Sequence, residues 1–242
     1  MRVAVIIPTL DDAESLAGLL SRLAHLDPLP DELIVVGAAS ASCELVCRSA
    51  GAAWLAAHAA RGGQLALGAA RARADVLWFL GTDCEPHRSA VAALRGAVAA
   101  GAAGGYFRFR FAGPRSRIKR TLERCIALRS RIGTIYGDQG LFVTRTAYED
   151  TPGFALQPLF EEVALVRALK RTGRFVALSL PLTVCPQRWE YEGFLRRALV
   201  HRWLVLAFMC GVAPARLARW RGAHAQPAPA GYGRHSSTAL RL

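Results

Sequence analysis

The chain has 242 residues, with 31 Lys and Arg against 18 Asp and Glu, a formal net charge of +13. That length allows one domain with additions, and a hydrophobic fraction of 52% is enough for a sizeable core, so a disordered or fibrous chain is excluded. The positive surplus points to an anionic partner (nucleic acid, an anionic membrane surface or a phosphorylated ligand), although Arg excess beside much Ala and Gly also fits a coding bias toward GC-rich codons.

Residues 3–8 are a short β-branched run closed by Pro8, which reads as a buried strand. Asp11 or Asp12 can cap the helix that follows, whose Leu16, Leu19, Leu20 and Leu23 share one face. "LIVVG" at 33–37 is a second strand, 43–50 a short helix, and "AAWLAA" at 52–57 a third strand. A helix over 64–73 and a strand over 76–80 complete an alternation that calls for a mostly parallel sheet covered by helices on both faces. The rhythm then changes. A helix is expected over 86–100, with Pro86 near its first turn. "YFRFRF" alternates strictly, placing Phe107, Phe109 and Phe111 opposite Tyr106, Arg108 and Arg110, as in a half-exposed strand of antiparallel or mixed pairing. An amphipathic, Arg-rich helix over 115–131 follows, then the Gly-flanked loop "YGDQG" leading into a strand. A helix over 160–171 carries Glu161 and Glu162 in its first turn, and two short strands, 175–178 and 182–184, come next. An apolar helix with basic residues spans 194–211, and a Pro/Gly/Ala-rich tail reads as disordered from 222. The expected organisation is one domain over 1–221, with amphipathic C-terminal helices at about 192–221, and a tail over 222–242.

The six cysteines form no CxxC pair and no metal-finger spacing, so they read as small buried residues in a reducing compartment. "MRVAVIIPTLDD" has too short an apolar run for a signal sequence, and the apolar stretch 203–213 is far below the ~20 residues a spanning helix needs. The expected location is cytoplasmic, with peripheral contact at the inner face of the cytoplasmic membrane through the basic, apolar helix 194–211 as an open alternative.

"VLWFLGTDCEPH" ends a buried-looking strand with Asp83 and Glu85 at its C-terminal tip, where open α/β sheets bind ligands. A carboxylate there can hold Mg²⁺ or Mn²⁺, which prefer hard oxygen ligands. The plainer alternative is that Asp83 caps a helix starting at Pro86. His87 could face the same ion or simply lie exposed at a helix start, and no His/Cys/Asp cluster has zinc spacing. "GGQLALG" is neither a P-loop nor a dinucleotide fingerprint, and no Ser or Cys sits in a nucleophile elbow.

Taken in order, "VIIPTLDDAESL", "DELIVVG", "RGGQLALGAARARADVLWFLGTD", "YGDQGLFVTR", "PLFEEVALVRAL" and "QRWE" resemble the family 2 glycosyltransferases of GT-A fold. The nearest likeness is the small bacterial glycosyltransferase 2-like subgroup associated with radical-SAM/selenoprotein-type gene neighbourhoods. The resemblance implies an α/β fold, Rossmann-like, with a mostly parallel mixed sheet and helices on both faces. It implies transfer of a sugar from a nucleotide-sugar donor to a hydroxyl acceptor, assisted by a divalent cation, Mg or Mn, and inverting. On the donor side it assigns Pro8, Asp12, Arg61 and Asp83, with Asp83 as metal ligand; on the acceptor side, Asp138, Gln139, Arg188 and Trp189. The acidic pair Glu161-Glu162 falls on the catalytic position, Glu162 as general base. A base in a first helical turn is expected to be biased toward its ionised form by the helix dipole. The acceptor implied is lipid-linked or membrane-proximal. Three acids usual to the family are missing: Gly37 stands at the end of the second strand, Ser42 at the later Asp of the segment that follows, and Gly81 before Asp83. Weakened or altered donor recognition follows as an expectation. The alternatives are a catalytically impaired module binding a sugar nucleotide or a partner, and, more weakly, a basic nucleic-acid binder.

Overall fold

The computed structural model describes residues 1–58, 60–132 and 135–224. The chain forms two compact units, Met1–Cys185 and a second beginning at Pro186. The first unit is built on an eight-stranded sheet in the order β3-β2-β1-β4-β7-β6-β8-β5. Its strands are β1 (Val3–Thr9), β2 (Glu32–Gly37), β3 (Ala53–Ala56), β4 (Val76–Phe79), β5 (Cys84–Pro86), β6 (Gly104–Phe111), β7 (Phe142–Thr144) and β8 (Phe175–Val184). The helices of this unit are α1 (Ala13–Leu23), α2 (Ala41–Ser49), α3 (Arg61–Arg71), α4 (Ala90–Ala99), α5 (Arg117–Ile132), α6 (Arg145–Glu149) and α7 (Val163–Thr172). β1 is buried along its whole length, as its apolar run requires, and pairs in parallel with both β2 and β4. α1 buries Leu16, Leu19, Leu20 and Leu23, and α3 lays Leu65 and Ala69 on the core with Ala4, Ile6 and Leu77. Burying one such aliphatic side chain contributes about 1.5–3 kcal/mol, so this first half is held mainly by apolar packing.

The chain winds from β1 outward through β2 to β3 and then returns to the other side of β1 as β4. The strand order therefore reverses between β1 and β4, and the crevice at their carboxyl ends is where an open α/β sheet takes its ligand. The loops leaving β1 and β4 carry Asp11, Asp12 and Asp83 to that end.

Several boundaries differ from those expected. The residues after Asp83 do not start a helix: Cys84–Pro86 pairs with β8, and α4 begins only at Ala90. Asp83 is therefore no helix cap. The carbonyls of Gly81 and Asp83 accept from the N–H groups of Cys84 and Cys185, which anchors the turn to the sheet. Residues 175–184 form one strand, not two. The expected break falls where β6 slips register, with Phe107 opposite Leu178 but Arg108 opposite Pro181. β6 pairs antiparallel with β7 and parallel with β8. Its phenylalanines are buried and Arg108 and Arg110 exposed, whereas Tyr106, expected on the open face, packs in the core. α7 starts at Val163, so Glu162 is its N-cap and Glu161 precedes it, after Phe160 at φ 61°.

The second unit contains α8 (Gln187–Glu192), α9 (Phe194–Met209) and α10 (Pro214–His224). α10 continues to His224, past the expected start of the tail, and the remainder of the 222–242 segment lies outside the described residues. No helix among the described residues is long and apolar enough to cross a membrane. Cys43, Cys47 and Cys84 are buried as expected, but Cys125 and Cys210 are exposed, because they fall on outward faces of α5 and at the end of α9.

Candidate functional site

The loop 136–140, the start of α3 and the approach to α7 converge beside the turn that carries Asp83. Arg61, the first residue of α3, pairs through Nε with Glu161 Oε1 at 2.8 Å, and Glu161 is only 8% exposed. Gly137 leaves the guanidinium room to pass, since a Cβ there would collide with it. The N–H of Gly137 donates to Glu162 Oε1 at 3.1 Å. Arg61, Leu65, Phe79, Phe154, Glu161 and Glu162 enclose a cavity of about 10 Å³, room for about one water.

Burial dominates the electrostatics. Desolvation pushes the Glu162 carboxyl up to about 8; the neighbouring Glu161 adds to this, and Asp138 does so more weakly. Arg61 works in the opposite direction and loses. The expected bias toward ionisation is thus reversed: a helix N-terminus is worth about 0.3–1 kcal/mol, less than taking a carboxylate out of water. Of the acidic pair, Glu161 faces the guanidinium and Glu162 keeps its proton at neutral pH. Tyr136 is pushed up to about 12 by burial, against Arg129, whose guanidinium lies 4.4 Å over its ring.

Asp138 is also raised by burial, partly relieved by Arg129 and reinforced by Asp83. Its Oδ1 is buried and has no hydrogen-bond partner. Asp83, in contrast, is exposed, and its carboxylate turns back over Gly81, 2.7 Å from where a Cβ on that residue would lie. Asp83 and Asp138 both raise the buried thiol of Cys84, after desolvation as the main cause, so the two carboxylates flank it. Among the described residues no group of three or more His, Cys, Asp or Glu side chains could hold a metal. Mg²⁺ and Mn²⁺ need no such cage: they bind through one or two carboxylates and complete their shell with water and phosphate. An exposed Asp83 beside an orphaned Asp138 oxygen fits that requirement.

The other expected residues are placed as follows. Pro8 lies inside β1 opposite Val36. Asp12 caps α1, its Oδ1 accepting from Ser15 N–H at 3.0 Å, and Asp11 accepts from the Ser40 hydroxyl of the next loop. Gln139 turns inward, accepting from Ser130 Oγ at 2.9 Å. His87 is exposed, and its Nδ1 accepts from Ser89 N–H at 3.2 Å, a local turn contact. Arg188 and Trp189 belong to the second unit: Arg188 pairs with Glu192 at 3.2 Å and Trp189 packs under Arg197, 5.0 Å away. Burial pushes the Glu192 carboxyl up, but Arg197 and Arg188 more than offset it and its pKa is lowered. At Gly37 the space an acid would occupy is taken, because a Cβ there would lie 2.6 Å from Thr9 and 2.7 Å from the Trp54 ring. Tyr136 and Arg129 were missed from sequence; the "YG" before Asp138 was their only signal.

No protein-family model matches the sequence, and no curated protein matches it. Solved structures do. Glucosyl-3-phosphoglycerate synthase from Mycobacterium tuberculosis, crystallised with Mn²⁺, UDP and phosphoglyceric acid, superposes with a TM-score of 0.59 at 20% identity, over 87% of this chain and 79% of that one. S. aureus TarS 1–349 in complex with UDP gives 0.60 at 16% identity, over 77% of this chain and 62% of that one. A mycobacterial protein gives 0.54 at 24%, over 76% and 65% respectively. The fold is GT-A. The chain spans about two thirds of the mycobacterial protein and of the TarS fragment. In the GT-A sheet of this chain, the cluster Arg61, Asp83, Asp138, Glu161 and Glu162 therefore stands at the carboxyl end of the strands, beside the reversal between β1 and β4.

Proposed function

We propose that the protein is a glycosyltransferase that moves a sugar from a nucleotide-activated donor to a hydroxyl acceptor, by direct displacement and with inversion. One observation carries the reading: a GT-A sheet brings a base-capable carboxyl, a paired guanidinium and two further carboxylates to its ligand-binding end. The structural neighbours crystallised with UDP, one with Mn²⁺ as well, support the donor class. Asp83 and Asp138 would hold a divalent cation, which when bound neutralises the charge developing on the leaving diphosphate. Arg61 adds a second positive group, steadied by Glu161. Glu162 accepts the proton of the acceptor hydroxyl; held at about 8 by burial, it is a stronger base than an ordinary carboxylate once it is ionised. Gly137 N–H holds its Oε1 in place. No nucleophile is required, which is the basis for inversion.

Base recognition departs from the family pattern, since the site of the missing acid at Gly37 is filled by the Trp54 ring. That ring offers stacking in place of a charged hydrogen bond, so a donor base other than uracil is expected. The family 2 subgroup assignment rests on motif order alone. Arg188 and Trp189 are assigned to the acceptor by the same resemblance. A cytoplasmic protein with peripheral membrane contact is the accompanying reading, supported by exposed Leu195, Leu199, Trp203 and Met209 on α9 beside Arg202. A second reading, a sugar-nucleotide-binding protein without turnover, is favoured by the filled position at Gly37. A Mn²⁺-dependent donor-hydrolysis screen over nucleotide sugars, on wild type and Asp83→Ala, separates the two. Turnover that falls at least a hundredfold in the variant supports transfer. Equal rates remove Asp83 from the mechanism, and no turnover of any donor favours the second reading.

A further inference from the structure

A second cavity of the first unit, about 400 Å³, lies apart from the one beside Glu162. It lies between the end of β6 and the first turns of α5 and is lined by Arg108, Arg110, Arg115, Arg120, Glu123 and Arg124. The one acid among these is already engaged: Glu123 Oε1 accepts from Arg115 at 2.8 Å and from the Phe111 N–H at 2.9 Å. Arg108, Arg110, Arg120 and Arg124 are exposed, and their guanidinium groups make neither a hydrogen bond nor an ion pair among the described residues. Arg120 and Arg124 stand four apart on one helix face, a like-charge pair that destabilises the folded state. Unanswered guanidinium groups in a concavity of this size form an anion site, because their forked donors suit phosphate and carboxylate oxygens. One phosphate occupies about two such side chains, so the groove calls for a ligand with two or more anionic groups. A concave space within the ~300–1,000 Å³ range of ligand pockets suits a discrete molecule better than a flat membrane surface.

Its place in the sheet links it to the candidate site. Phe111 of β6 and Cys84 of β5 both sit opposite Val184 of β8, so the groove strand ends level with the residue after Asp83, two strands across. At ~4.8 Å between strands that is about 10 Å. α5 carries Arg120 and Arg124 at the groove and, about 8 Å beyond Arg124 along its axis, Arg129 and Ser130, which hold Tyr136 and Gln139.

We propose that this arginine groove binds the acceptor through two or more of its phosphate or carboxylate groups, presenting its hydroxyl toward Glu162. The assignment to the acceptor rests on the transferase reading; the anion site itself does not. The test is calorimetric titration of the full chain with inorganic tripolyphosphate, with orthophosphate as the single-group control. The variants are Arg120→Ala/Arg124→Ala, Arg108→Ala/Arg110→Ala and the charge-matched Arg71→Ala/Arg167→Ala, all exposed positions whose replacement leaves the core intact. Tripolyphosphate is expected to bind far more tightly than orthophosphate. Each groove variant should weaken it at least tenfold, the scale of losing one hydrogen-bonded charge contact, while the charge-matched pair changes it less than twofold. UDP with Mn²⁺ should bind all three variants as it does wild type and should not displace tripolyphosphate. Equal losses in the groove and charge-matched variants would overturn the proposal, as would full displacement by UDP. So would phosphatidylglycerol vesicles that bind through these arginines while tripolyphosphate does not. Intact tripolyphosphate binding in a chain that takes no nucleotide would refute the transferase reading and keep the anion site.

Discussion

Replacing Glu162 by Gln isolates the electrostatic strain at the candidate site. The side chain is 6% exposed and its pKa stands at about 8 against 4.5 for an ordinary glutamate. Each unit is worth about 1.4 kcal/mol, so the displacement corresponds to a pH-dependent loss of stability on the order of 5 kcal/mol. The sign follows from proton counting. Below pH 4.5 both the folded and unfolded chains hold the proton. Between 4.5 and about 8 only the folded chain holds it, so rising pH favours unfolding; above about 8 neither holds it and the loss is complete. Gln mimics the neutral acid and can still accept from Gly137 N–H, so it removes the dependence without removing the hydrogen bond. Urea unfolding of both proteins across this range should give stabilities within about 1 kcal/mol of each other in acid, with the variant gaining several kcal/mol in alkali. Because every other titrating group is shared, the difference curve reports Glu162 and whatever is coupled to it. A flat difference curve, or a variant less stable than wild type in alkali, would refute the claim that burial outweighs Arg61 and the helix N-terminus at this residue.

In turnover, wild-type kcat/KM should rise with pH and level off above about 8 if Glu162 is the base, and Glu162→Gln should lose that rise together with most of the rate. Asp138→Asn should weaken Mn²⁺-dependent UDP binding at least tenfold, read by calorimetry, if its unpartnered Oδ1 meets the cation. Arg61→Ala leaves Glu161, 8% exposed, without its partner; because Arg61 is itself 38% exposed, the cost by urea unfolding should be about 1–3 kcal/mol, below that of a fully buried pair. Gly37→Asp should destabilise by about 1–3 kcal/mol, through collision with Thr9 and Trp54, and should not restore uridine selectivity in a donor-binding panel.

The layered α/β fold was legible in the chain because its signals are local. Short β-branched runs alternate with helices whose leucines recur at the helical period, and β1, α1, β2 and β4 lie within a residue or two of where those patterns put them. The motif order singled out Arg61, Asp83, Asp138, Glu161 and Glu162, and the fold gathers them at the carboxyl end of the sheet. What it could not supply was their ionisation. Helix position alone argued for a charged Glu162; desolvation and a second carboxylate next door, both products of long-range packing, make it neutral. The same holds for Pro86, which reads locally as a helix start and is claimed by β8 through a pairing some hundred residues distant. The Arg108/Arg110 face looked like ordinary solvated strand until α5 brought Arg120 and Arg124 across from it. Periodicity and turn chemistry act over a few residues and are written in the sequence, whereas solvent exclusion and the meeting of charges from separate elements exist only once the chain has folded.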